Sequence, residues 1–93
     1  MLNVSDPFDP YAEPHKLMYV RVAEHLAARI ESGDLRPGQK LPPERELATE
    51  YGVAYHTIRK AMQILRDRHM IASVHGRGTF VLPRDEWNAG DGE

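Results

Sequence analysis

Gly52 stands between two short stretches of helical periodicity, and this spacing constrains the chain more than any other feature of its sequence. Before it, Leu47, Ala48 and Tyr51 fall on one side of a helix running from about Glu44 to Tyr51. After it, Ile58, Ala61, Met62 and Leu65 recur at i, i+3, i+4 and i+7 along a helix from Tyr55 to about Arg68. Val53 is the apolar residue of the turn itself. Two helices joined through so short a glycine-containing turn form a helix-turn-helix.

The flanks complete the architecture. From His15 onward, Tyr19, Val22, Ala23, Leu26, Ala27 and Ile30 make one apolar stripe, with Arg21, Glu24, His25 and Arg29 on the other side. Gly33 is placed to end this helix in the left-handed conformation. Pro37-Gly38 marks a turn, and Leu41 is expected to insert into the core ahead of Pro42-Pro43. After Arg68 the period changes to two. Ile71 and Val74 precede His75-Gly76-Arg77-Gly78, and Thr79-Phe80-Val81-Leu82 follow it, which reads as a β-hairpin. The order of helix, helix-turn-helix and hairpin is a winged helix: a mainly α domain with a small β-hairpin wing, over residues 15–82. Pro7, Pro10 and Pro14 make residues 1–14 a flexible, extended arm, on which Phe8 and Tyr11 either dock or stay free. Residues 83–93 read as a disordered acidic tail or linker stub, with Trp87 either an anchor or part of that tail.

Ninety-three residues allow one domain with a thin core. The absence of cysteine excludes disulfide scaffolds, thiol nucleophiles and cysteine-ligated metals. No apolar run approaches the ~20 residues of a membrane helix, and the first residues lack the basic start and apolar core of a signal peptide. A soluble, cytoplasmic protein that makes no membrane contact is expected. The net charge is −2, but it is unevenly distributed. Residues 1–55 carry six bases and nine acids, residues 56–84 carry six bases against Asp67 alone, and residues 85–93 carry four acids and no base. A basic segment between acidic flanks is the field of a protein with one anion-contacting face. The five histidines show no His-Glu-x-x-His spacing, and no glycine-rich loop is followed by Lys-Ser/Thr, so neither enzyme chemistry nor a metal or other cofactor is indicated.

Five stretches resemble the N-terminal DNA-binding domain of the GntR family of bacterial transcription regulators. They are Gly33-Asp-Leu-Arg-Pro-Gly38, Leu41-Pro-Pro-Glu-Arg-Glu-Leu-Ala48, Gly52-Val53, Thr57-Ile-Arg-Lys-Ala61 and Gly76-Arg-Gly-Thr-Phe-Val81. Tyr19 and Ala23 match the family's first helix, and the resemblance runs without a gap from Tyr19 to Val81. It implies a sequence-specific regulator, read as a repressor, bound as a homodimer to a two-fold symmetric operator in double-stranded DNA. The helix at 55–68 would enter the major groove, and the wing at 75–79 would meet the adjacent minor groove or backbone. Arg45, Thr57 and Arg59 match DNA-contacting positions. Arg45 is otherwise placed to pair with Glu46 or Glu50 on the surface, and Thr57 to satisfy a first-turn amide. His56, Lys60, His75, Gly76 and Arg77 complete the candidate surface, Gly76 because backbone without a Cβ can approach DNA closely.

Departures from the family pattern bear on specificity. Ala54-Tyr55 stands where the family commonly has Ser-Arg. Alanine removes an N-cap worth about 1 kcal/mol. Tyr55 replaces an arginine able to grip guanine through two hydrogen bonds, although tyrosine can still bond a phosphate or stack on a sugar. Pro43 replaces a capping serine, Glu46 keeps half of a capping box, and His69 stands where a glycine often follows, so strain is expected there. Family members usually carry a further effector-binding or dimerisation domain, and only eleven residues follow Leu82 here. The chain therefore reads as a separated DNA-binding domain or a short regulator, and no effector is indicated. The other function open to a winged helix is protein–protein contact.

Overall fold

In the computed structural model, which describes residues 7–87, three helices pack around one core and a hairpin closes it. The elements are α1 (Met18–Ser32), α2 (Glu44–Tyr51), α3 (Tyr55–Asp67), β1 (Ile71–Val74) and β2 (Gly78–Val81), followed by a single 3-10 turn at Arg84–Glu86. Each helix contributes its apolar stripe: Val22, Leu26 and Ile30 from α1, Leu47 from α2, and Ile58, Met62 and Leu65 from α3, all buried. Ile71 and Val81 seal the core from the hairpin, and Leu41 is buried as its position predicts.

The turn between α2 and α3 depends on Gly52, whose φ of 68° is left-handed. Its amide and that of Val53 donate to the carbonyls of Thr49 and Ala48, which closes the end of α2. At the other end of α3 the same conformation falls on His69, with φ 58°. The left-handed conformation for which strain is expected of a non-glycine residue is thus present there.

The hairpin pairs Ile71 with Val81, Ala72 with Phe80, Ser73 with Thr79 and Val74 with Gly78. A third segment, not foreseen from the sequence, lies along β2. Lys40 bridges Phe80, the Leu41 amide donates to the Thr79 carbonyl at 2.8 Å, and the Val81 amide donates to the Gln39 carbonyl at 2.9 Å. This strap is too short for alternation to reveal it, and Pro42 ends it at once.

Both ends differ from expectation. Helix α1 begins at Met18 rather than His15, because Lys16 closes a turn onto the Glu13 carbonyl, with Glu13 itself at φ 50°. The arm docks in part. Phe8 packs on the core with its ring 5.6 Å from His25 and 5.1 Å from Tyr51, while Tyr11 is 88% exposed. The docked arm buries the side of α1 that its polar residues assigned to solvent. Arg21 is 6% exposed and donates to the carbonyls of Asp9 and Pro10, and its guanidinium lies 4.8 Å from the Phe8 ring centroid. The buried His25 ring nitrogen lies 2.8 Å from the Tyr51 hydroxyl. Arg29 donates to that hydroxyl and to Glu50 and Asp34, tying α1 to α2 and to the loop beyond α1. Burial pushes the Tyr51 phenol above its ordinary pKa, and the neighbouring Arg29 opposes this only in part.

The expected tail is also folded at its start. Arg84 donates to the Glu31 carbonyl, and Trp87 packs on the core while its indole N–H donates to the Leu82 carbonyl at 3.0 Å. Trp87 is therefore an anchor, because an indole can bury its face here and still satisfy its one donor. The rest of the tail, 88–93, and the first six residues of the arm lie outside the described residues.

Candidate nucleic-acid interface

Helix α3 is amphipathic in the strict sense. Its inner face is Ile58, Ala61, Met62 and Leu65, so His56, Arg59, Lys60 and Gln63 must point outward, and all four are exposed. Tyr55, His56, Arg59, Lys60, Gln63 and Arg66, with Glu44, line a shallow hollow of about 700 Å³. A second hollow of about 480 Å³ runs between the wing and the start of α2, lined in part by Lys40, Pro43, Glu44, His75, Gly76 and Arg77. Glu44 borders both, so the outer face of α3 and the inner face of the wing form one continuous surface.

The cations on this surface are not equivalent. Arg66 is held by Glu44 at 3.5 Å and donates to Ser73 and Gln63, so it braces α3 against α2 and the wing. Arg59 and Arg77 make no side-chain hydrogen bond or ion pair with the described residues. Lys60 lies over the Tyr19 ring, 5.3 Å from its centroid, which orients the ammonium without neutralising it. Arg45 pairs with neither Glu46 nor Glu50. Its guanidinium carbon lies 4.6 Å from the Tyr55 ring centroid, while Glu50 holds Arg29 instead. The structure thus brings Arg45, Tyr55, His56, Arg59 and Lys60 together, and carries His75, Gly76 and Arg77 on the wing beside them. Thr57 is half-buried in the first turn of α3, and its hydroxyl makes no hydrogen bond to the described residues. Ala54 leaves α3 without a side-chain cap, and Pro43 does the same for α2.

At the wing tip Gly76 has φ 77°, and Arg77 follows with its amide donating to the Val74 carbonyl. Gly78 is required more strictly. Its φ is 126°, a conformation that a residue with a Cβ adopts only with strain, whereas the 2.5 Å contact such a Cβ would make is with the flexible end of Lys40. Three participants escaped sequence reasoning: Tyr19, which carries Lys60; Glu44, which restrains Arg66; and Lys40, which lies against the wing. Each acts on a residue 22 to 41 positions away, where local periodicity carries no signal. Among the described residues no group of histidines and acids is arranged to hold a metal, and no helix is long and apolar enough to cross a membrane.

A helix presenting unpaired cations beside a basic hairpin tip defines the class: a winged helix-turn-helix domain with an anion-binding recognition face. The chain belongs to the GntR family of bacterial regulatory proteins, whose model matches residues 18–81. It is 39% identical over 67 residues to the mannosyl-D-glycerate transport/metabolism system repressor MngR of Escherichia coli, covering 72% of this chain and 28% of that one. It is 38% identical over 64 residues to the transcriptional repressor NagR of Bacillus subtilis, covering 69% of this chain and 26% of that one. The chain thus spans little more than a quarter of the length of these relatives. Among solved structures it resembles YtrA of Sulfolobus acidocaldarius, a GntR-family transcription factor, at 33% identity and TM-score 0.75, over 85% of this chain and 83% of the other. The DNA-binding domain of AraR in complex with an operator matches at 44% identity and TM-score 0.64, over 68% of this chain and 76% of that one. These relatives are transcription regulators, not enzymes.

Proposed function

We propose that this chain binds a specific operator in double-stranded DNA as a homodimer in the cytoplasm and represses transcription. Helix α3 lies in the major groove, where base edges present a distinguishable donor and acceptor code. The wing meets the adjacent minor groove or backbone through His75, Gly76 and Arg77. Arg59 and Arg45 read bases or phosphates, Lys60 and His56 supply phosphate contacts, and Thr57 contacts a phosphate or base from the first turn of α3. The observation that carries this reading is the exposed row on α3, whose Arg59 has no acidic partner among the described residues. The likeness to the AraR domain solved in complex with an operator supports DNA as the partner.

The test is selection of the purified chain against a random duplex pool, read by sequencing. A two-fold symmetric enriched site is expected, bound with a steep loss of affinity as salt rises, since phosphate contacts release counterions. Arg59→Ala should weaken that site by about 10- to 100-fold, consistent with loss of a bidentate or phosphate contact. An unaffected R59A variant refutes the docking mode. Absence of any salt-sensitive DNA retention refutes DNA binding and favours a protein partner.

A further inference from the structure

We infer that Tyr55 is a positioning residue for Arg45, holding its guanidinium ready for the operator; the inference rests on the DNA-binding reading above. Arg45 sits in the first turn of α2 and Tyr55 is the first residue of α3, so the contact spans the two helices of the helix-turn-helix. The guanidinium carbon is 4.6 Å from the ring centroid, and both side chains are exposed. Nothing else among the described residues fixes either one: the Arg45 guanidinium has no acceptor, and the Tyr55 hydroxyl has no partner.

A ring within cation–π distance steadies the guanidinium through its charge and accepts none of its N–H hydrogen bonds. That is what is required of an arginine that must still make two parallel hydrogen bonds to guanine or to a phosphate. An arginine without the ring would have to surrender its rotamer freedom on binding. Acid pairing would order the side chain equally well, but would occupy the donors and cancel the charge, as Glu44 does to Arg66. Tyr55 therefore does not stand in for a base-reading arginine at its own position. It holds Arg45 ready to read from the neighbouring helix.

The experiment measures affinity by fluorescence anisotropy for the wild type, Tyr55→Phe, Tyr55→Leu, Arg45→Ala and the R45A/Y55L double variant. The probes are the selected duplex and its single-base-pair variants. Y55F should bind within about two-fold of wild type. Y55L should bind about two- to ten-fold more weakly, the cost of ordering one arginine on binding, and should lose discrimination at the same base pair as R45A. Adding Y55L to R45A should change nothing further. Circular dichroism checks that Y55L stays folded, which is expected of an exposed side chain. If Y55F loses as much as Y55L, the hydroxyl touches DNA itself and the inference is overturned. It is equally overturned if Y55L keeps its full effect in the R45A background. Failure of the wild type to select any site overturns the DNA-binding reading and this inference together, whereas selection without Arg45–Tyr55 coupling overturns this inference alone.

Discussion

Phe8 and Tyr11 lie three residues apart on the same proline-rich arm, yet the structure assigns them opposite weights. Phe8 is half-buried on the core, with its ring close to His25 and Tyr51 and under the Arg21 guanidinium, while Tyr11 stands in solvent. Full burial of a phenylalanine contributes about 1.5–3 kcal/mol, so half-burial contributes about 1 kcal/mol. The two ring contacts add about another 1 kcal/mol between them. Phe8→Ala should therefore cost about 2 kcal/mol, which in a domain of this size lowers Tm by roughly 8–16 °C. Tyr11→Ala should stay within about 0.5 kcal/mol of wild type. Thermal melts and urea titrations followed by circular dichroism measure both, and an unchanged m-value would place the F8A loss in the folded state. Equal melting of F8A and Y11A would show that the arm does not dock, and would leave the burial of Arg21 unexplained.

Arg66→Ala should leave the salt slope of operator binding unchanged, because Arg66 is held by Glu44; R59A should reduce that slope by about 0.9 if it removes one phosphate contact. Anisotropy titrations at several salt concentrations separate the two. His69→Gly should stabilise the domain by about 1 kcal/mol by relieving a left-handed conformation on a non-glycine residue, raising Tm by roughly 4–8 °C; no gain would mean that His69 is not strained. Tyr51 has a folded pKa above its ordinary value, so the fold favours the protonated phenol. Its contribution is complete below about pH 10 and is lost as pH rises through the folded pKa. Urea midpoints should fall more steeply above pH 10 in the wild type than in Tyr51→Phe, and parallel curves would contradict the burial assigned to this phenol.

What could be read from the sequence was what local chemistry decides. Helix α2 begins after Pro43 and ends at Gly52 because one residue lacks an amide hydrogen and the other accepts a left-handed turn. The left-handed residue at His69 was legible for the same reason. The buried side of α1 was not. Arg21 and His25 are polar, and a helix face bearing them reads as solvated until a segment eleven to seventeen positions upstream is laid across it. Carbonyls of Asp9 and Pro10 then accept from the terminal guanidinium nitrogens, Glu13 lies 3.8 Å from its Nε, and Tyr51 bonds one nitrogen of the imidazole. Polarity in the sequence marks a need for partners, not for water. The start of the tail misled in the same way: its acids suggested disorder, but Arg84 and Trp87 each had a carbonyl within reach.

The interface shows the same division one level up. Each candidate residue on α3 was legible from the helical period, but whether a cation is available to DNA depends on acids brought near by the fold. Lys16, Arg21, Arg29, Arg66 and Arg84 are all bound to carboxylates or carbonyls, and of these only Arg66 lies on the α3 face. Arg45, Arg59, Lys60 and Arg77 retain their donors, and two of them are steadied by aromatic rings that leave the charge intact. An overall charge of −2 is therefore no obstacle to binding a polyanion. Acids such as Glu13, Asp34 and Glu50 pair with cations away from the α3 face, while α3 and the wing keep cations whose charge no neighbour cancels. Moving one acid would change this balance. Replacing Gln63, which lines the α3 hollow, with glutamate should weaken DNA binding far more than the same charge added at Tyr11 on the exposed arm.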